Sequence, residues 1–308
     1  MTNLLVAKHQ KKFLRCDDLE SFKDDIASME HPMFSLSRKP DQRMLVYEYN
    51  GITIKIKPSY KGLATILDKD ILLYIASSIM KAKNSGEKIS QTVRFTSYDY
   101  LIATNRNTGG SQYVQLKEGL ERLNGTLIQT NVKTNGVEIT EEFGIIDKWK
   151  TVKEDDEGKP IAIEVKLSDW FYGSFLDNAV LSIDKDYFNL RKPTERRLYE
   201  LARKHCGNQV AWKIKLENLK LKLGITSPLK TLRFNLNQIA RTNHLPEYNI
   251  SIDEDVVIFS RKAPSKENKA PEKLPVHVTE AAIHKHARPG ESKTQVVDRL
   301  KAMKQACK

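Results

Sequence analysis

Leu216-Glu-Asn-Leu-Lys-Leu-Lys-Leu-Gly224, continued by Ile225-Thr-Ser-Pro-Leu-Lys-Thr-Leu-Arg-Phe-Asn-Leu-Asn-Gln-Ile-Ala-Arg-Thr-Asn-His244, is the stretch whose reading decides the fold. It holds a short helical pattern, a turn at Gly224, and a longer helix announced by Ser227 as N-cap and Pro228 at the first helical position. Two helices joined through such a turn are helix-turn-helix grammar. On the second helix Leu229, Leu232, Leu236, Ile239 and Ala240 share one stripe at helical spacing. Lys230, Thr231, Phe234, Asn237, Gln238 and Arg241 are left facing outward, with Arg233 on the flank. That face is suited to DNA.

Charge supports the same reading. The 308-residue chain carries a formal +12, and the excess is local. From Arg191 to Arg241 thirteen lysines and arginines face three glutamates, so most of the net charge surrounds the opening motif. A concentrated basic field suits a polyanion. A membrane surface fits poorly, because there is no run of about 18 apolar residues and the first ten residues lack the apolar core of a signal peptide. A cytoplasmic protein is expected. Cys16, Cys206 and Cys307 are widely spaced thiols without the pairing of a zinc site or a disulfide framework.

Working outward from the motif, the element order repeats. Before it come a helix over Glu195 to His205, capped by Thr194, and a strand over Val210 to Lys215; after it come Tyr248 to Ile252 and Val256 to Phe259 as a hairpin. The earlier part has the same order. A hairpin over Met44 to Lys57 turns at Asn50-Gly51, and Asp68 caps a helix with Ile71, Leu72, Tyr74, Ile75, Ile79 and Met80 as its apolar face. A strand at Thr92 to Phe95 leads to a second helix-turn-helix, with Ser97 capping one helix and Ser111 the next, whose stripe is Tyr113, Leu116, Leu120 and Leu123. At the start of that helix Arg106, Thr108, Ser111 and Gln112 are placed to attract phosphate, with Gln115 and Arg122 on its outer face, although Glu118 and Glu121 oppose DNA there. The β-rich segment from Thr126 to Leu167, with a turn at Asn135-Gly136, then completes a small antiparallel sheet, and Ser168 to Leu176 reads as a short aromatic helix able to pack against the second domain. The expectation is an α+β protein of two tandem winged-helix domains, residues 40–178 and 179–262, with an N-terminal arm over 1–39 and a flexible basic tail over 263–308. The acidic Asp253-Glu-Asp255 tip makes the second hairpin a poor groove-inserting wing.

No residue is assigned a catalytic role. There is no Gly-x-x-x-x-Gly-Lys-Ser/Thr loop and no Gly-x-Gly-x-x-Gly after a strand, so nucleotide chemistry has no visible home. His284-Lys-His286 invites comparison with the metal-binding histidine pairs of rolling-circle nickases. It lies in the basic tail without a carboxylate set or a nucleophilic tyrosine, and is read as solvated. Asp24-Asp25 and Asp155-Asp156 are read as surface carboxylates. No metal and no cofactor are expected.

Three segments resemble a known family, the replication initiators of iteron-bearing plasmids, in particular the group called replication initiator protein A. They are Thr108-Gly-Gly-Ser-Gln-Tyr-Val-Gln-Leu-Lys-Glu-Gly-Leu-Glu-Arg-Leu-Asn-Gly-Thr126, Arg197-Leu-Tyr-Glu-Leu201, and Phe234-Asn-Leu-Asn-Gln-Ile-Ala240, in that order within residues 40–262. The tail after Lys262 and the acidic tip depart from the pattern. The resemblance implies a protein that binds repeated duplex sites in an origin, helps to open an adjacent AT-rich segment and recruits host helicase or initiator proteins. It also implies monomers on the repeats, dimers that repress the protein's own promoter, and stronger base contacts by the second winged helix. A winged-helix transcriptional repressor without origin activity and a rolling-circle nickase are the alternatives.

Overall fold

A computed structural model describes residues 21–131, 141–153 and 160–263. The N-terminal arm expected over 1–39 is, where the chain is described, part of the packed fold. Strand β1 (Phe22–Asp25) leads into the short helix α1 (Ile26–Glu30), and Asp25 caps that helix by accepting the Ser28 amide at 2.7 Å. Phe22, Met29, Met33 and Phe34 are buried. Among residues 22–25 only Phe22 is apolar, so β1 is made a strand by its pairing. Its partner is β9 (Val180–Ile183), with Phe22 opposite Ile183.

The hairpin β2 (Leu45–Tyr49) and β3 (Ile52–Lys57) turns through Asn50 and Gly51, both at positive φ, as an Asn-Gly turn requires. Next comes α2 (Lys69–Asn84), buried on nearly every side: Leu73, Ala76 and Ser77 are enclosed as well as the expected apolar face. A helix apolar all round belongs inside. Each fully enclosed leucine, isoleucine or phenylalanine contributes about 1.5–3 kcal/mol, so α2 is the pillar on which the earlier half is built. Strand β4 (Thr92–Phe95), helices α3 (Ser97–Ala103) and α4 (Gly110–Gly125), and strands β5 (Leu127–Thr130), β6 (Glu141–Gly144), β7 (Ile146–Lys153) and β8 (Pro160–Leu167) follow. All pairings are antiparallel, in sheets ordered β2-β3-β5-β6 and β4-β8-β7. The Asn135-Gly136 turn lies outside the described residues.

Helix α5 (Asp169–Leu176) packs on α2 and β1, with Trp170 stacked on Phe143 at 4.8 Å between ring centroids. After β9 and a single 3-10 turn at Lys185–Asn189 come α6 (Pro193–His205), β10 (Ala211–Lys215), α7 (Leu216–Leu223), α8 (Leu229–Thr242), β11 (Tyr248–Asp253) and β12 (Val256–Arg261), the strands ordered β10-β12-β11. The helix starts differ slightly from expectation. Thr96 rather than Ser97 caps α3, Gly109 precedes α4, Lys192 precedes α6 and Pro228 precedes α8.

Residues up to Lys262 form one compact unit, and the two halves share buried charge as well as apolar core. Lys69 Nζ, from α2, meets Asp24 at 2.8 Å and Glu200 of α6 at 3.2 Å, all three enclosed. Asp70, also fully buried, takes Arg106 at 2.7 Å and Arg196 of α6. Arg197 donates to the carbonyls of Ser28 and Met29, each at 2.9 Å, and to Lys222 O at 3.0 Å. Asp24 and Asp25 are thus buried at the seam, which corrects their reading as surface carboxylates; Asp155-Asp156 lie outside the described residues. Burial raises both carboxyls, that of Asp24 to about 7 even though Lys69 pulls it down.

Candidate nucleic-acid interface

Helix α8 is set by its stripe. Leu232, Leu236 and Ile239 are buried against α7 and β11, which leaves Lys230, Thr231, Phe234, Asn237, Gln238 and Arg241 exposed. Phe234 is 61% exposed, a large ring on an otherwise polar surface. The helix carries Lys230, Arg233 and Arg241 and no carboxylate. Gly224 ends α7 in the left-handed conformation, where a Cβ would lie 2.6 Å from Pro32 and 3.1 Å from the Tyr47 ring. The Tyr47 hydroxyl donates to Gly224 O at 2.8 Å. The first hairpin therefore grips the turn that aims α8.

At the other end, Asn243 closes α8 in the left-handed conformation, and Lys262 Nζ bonds the carbonyls of Asn243 and Leu245 at 2.7 and 2.8 Å. A cation there complements the negative end of the helix dipole. Burial lowers the pKa of that lysine.

Arg233 differs from the others. It is half-buried and donates to Glu254 O and Asp255 at the tip of the β11–β12 hairpin. The tip is a two-residue turn with Glu254 at positive φ, and its Asp255 O accepts the Leu216 amide at 2.8 Å. The acidic tip that looked misplaced for a groove is folded back on its own helix-turn-helix.

The first helix-turn-helix is less free. Thr108, Ser111 and Gln115 are exposed and Gln112 half-buried. Arg106 and Arg122 point inward. Arg106 bonds Leu67 O at 2.9 Å and Asp70 at 2.7 Å, and Arg122 grips Asp68 with two bonds of 2.8 Å. The Asp68 bonds hold the Arg122 guanidinium above the ordinary arginine range. Both arginines are internal ion-pair partners, which removes them from the outward-facing group expected from sequence. Tyr113, expected on the buried stripe, is 39% exposed, whereas Gly119 is buried, with only 2.9 Å between an added Cβ and Asp68 Oδ1. Lys61 lies 4.0 and 3.8 Å from Glu118 and Glu121 and offsets their charge.

The features missed from sequence are buried carboxylates: Asp68, which pairs with Arg122 inside the first half, and Asp70, which reaches across the seam to Arg196. Asp68 reads in sequence only as a helix cap and Asp70 is not singled out there; only the fold brings Arg122 onto the first and Arg106 and Arg196 onto the second. Among the described residues no cluster of histidine, cysteine and carboxylate side chains is arranged to hold a metal ion, and no helix is long and apolar enough to cross a membrane. His284 and His286 lie outside those residues.

Known proteins place this arrangement in context. A protein of Wigglesworthia glossinidia brevipalpis, described as a candidate replication protein, is 43% identical over 262 residues, covering 83% of this chain and 95% of its own. The crystal structure of domains 2 and 3 of RctB superposes with a TM-score of 0.55 at 14% identity, over 77% of this chain and 96% of that one, a likeness of fold. Residues 23–250 match the family described as Replication initiator protein A. With that match spanning most of the sequence, the chain belongs to the replication initiator protein A family.

Proposed function

We propose that the protein is a plasmid replication initiator that reads repeated duplex sites in its origin, each half acting as a winged-helix unit and α8 choosing the sequence. The observation that carries this reading is the outer face of α8, where cations, amides and one apolar ring are exposed together on a helix without a carboxylate. Family membership supports the initiator role. Arg241 pairs with guanine O6 and N7, Asn237 with adenine, Phe234 touches thymine methyls, and Lys230 holds a phosphate. Thr231 and Gln238 border those contacts. Thr108, Ser111, Gln112 and Gln115 of the first half supply weaker, sequence-independent contacts to the backbone.

On this reading the protein promotes opening of the adjacent duplex, recruits host helicase or initiator proteins, and represses its own promoter as a dimer. It acts by binding alone, with no cofactor and no chemistry at the DNA. Supplying the protein in trans to a plasmid that carries only the origin tests the initiator role. Replication is expected; promoter repression without replication would reduce the protein to a repressor. Incubation with supercoiled origin DNA and Mg²⁺ or Mn²⁺ is expected to give no nick and no covalent adduct, and either product would show a nickase.

A further inference from the structure

Where the halves meet, a cavity of about 250 Å³ is lined by Asn105, Arg106, Gln112 and Gln115 from the first half and by Arg191 and Arg196 from the second. Its charge is unbalanced. Asp70 is shared by Arg106 and Arg196 and is fully buried. Arg191 is exposed, has no carboxylate partner among the described residues, and reaches only Asn105 O, at 3.4 Å. Three guanidiniums thus line a concave, partly desolvated place where field lines concentrate, and only two of them are paired to the one carboxylate. Apart from Leu67 the remaining lining is carboxamide, Asn107 included, which can donate to an anion's oxygens and accept from a neighbouring hydroxyl.

We infer that this cavity is a phosphate site that holds a backbone phosphate of the bound duplex, with Arg191 as its principal ligand. The inference rests on the DNA reading proposed above. Size favours a backbone phosphate: the space falls below the roughly 300–1,000 Å³ that encloses a drug-sized ligand, and it suits a phosphodiester with part of its sugar. Position favours it too. Gln112 and Gln115 belong to α4, and Thr108 and Ser111 stand exposed beside them, so a duplex lying along that face carries its backbone across the cavity mouth. A phosphate there bridges the two halves and fixes their register on DNA without reading sequence.

The test uses the full chain and two labelled duplexes of equal length, one from the DNA flanking the gene and one of random sequence, titrated over a range of salt. Arg191→Ala is expected to weaken both alike, by about three- to tenfold, and to lower the slope of log affinity against log salt by about one. Arg191→Lys is expected to restore the slope, since a lysine holds phosphate as a point charge. Arg241→Ala, run in parallel, is expected to erase the preference for the flanking duplex. If Arg191→Ala leaves affinity and slope unchanged while Arg241→Ala erases preference, the cavity assignment is overturned and the reading of α8 stands. If the wild type binds neither duplex, both fall. Thermal melts with ATP separate the other source of a phosphate: stabilisation of the wild type but not of Arg191→Ala, with an unchanged DNA slope, would give the cavity to a free nucleotide and overturn the assignment.

Discussion

At the scale of single residues, Arg233 and Asp255 set the character of the proposed reading face. A guanidinium held by a carboxylate presents its remaining donors in one orientation, while the carboxylate itself repels phosphate. Asp255→Asn therefore moves two quantities in opposite directions. Affinity for random duplex rises by up to about fivefold, the size of an exposed ion pair of roughly 1 kcal/mol, and the ratio of specific to random binding falls. A fall in both would show that the tip serves only to hold the hairpin. Asp24 makes a second prediction. Its ordinary pKa of 3.8 is raised to about 7 by burial, so between those values the unfolded chain releases a proton that the folded protein keeps. Its contribution to stability is greatest at low pH and declines as the pH rises through that window. Melting curves of the wild type and Asp24→Asn between pH 5 and pH 8 are expected to show the variant gaining on the wild type as pH increases. A constant difference would contradict the raised Asp24 carboxyl.

At the scale of elements, the second helix-turn-helix was legible because its signals are local: a leucine stripe, a proline beside the start of α8, and a glycine at the end of α7. The sequence does not show why that glycine is held so tightly. Tyr47 and Pro32, far away in the chain, occupy the space a side chain would need. Gly224→Ala combines a left-handed backbone, costing about 1–2 kcal/mol, with that clash, and is expected to lower the unfolding midpoint and weaken specific DNA binding together. Loss of stability with full specific affinity would mean that the turn does not aim α8. Strand β1 was not legible, for the complementary reason. Phe22, Ile26 and Met29 recur at roughly helical spacing, and only the pairing with β9, supplied by residues 180–183, makes Phe22–Asp25 a strand ahead of the helix that holds the other two. Arg106 and Arg122 belong to the same class. A basic residue near a helix-turn-helix looks available until the fold places a carboxylate beside it.

At the scale of the molecule, repetition of element order was visible in the sequence but the seam was not, because Lys69, Asp70, Arg196, Arg197 and Glu200 are ordinary helix charges until the halves meet. The Arg197-Leu-Tyr-Glu-Leu201 string that carried part of the family resemblance lies at that seam. Its arginine binds carbonyls of α1 and α7, and its glutamate accepts the Tyr187 hydroxyl at 2.8 Å. Asp70→Asn leaves Arg106 and Arg196 without their carboxylate and is expected to cost about 3–5 kcal/mol, read by urea denaturation. Because apolar core and charge are both shared, Trp170 in the first half and Trp212 in the second are expected to report the same midpoint; two midpoints would show halves that unfold separately. The central claim, that this body presents α8 to repeated sites, is tested most directly by footprinting the DNA flanking the gene with the wild type, Arg241→Ala and Lys230→Ala. The account predicts protected repeats for the wild type, about 1–3 kcal/mol lost with relaxed base preference for Arg241→Ala, and a uniform weakening on all sequences for Lys230→Ala. Equal losses on specific and random DNA for both variants, or no protected repeats with the wild type, would contradict it.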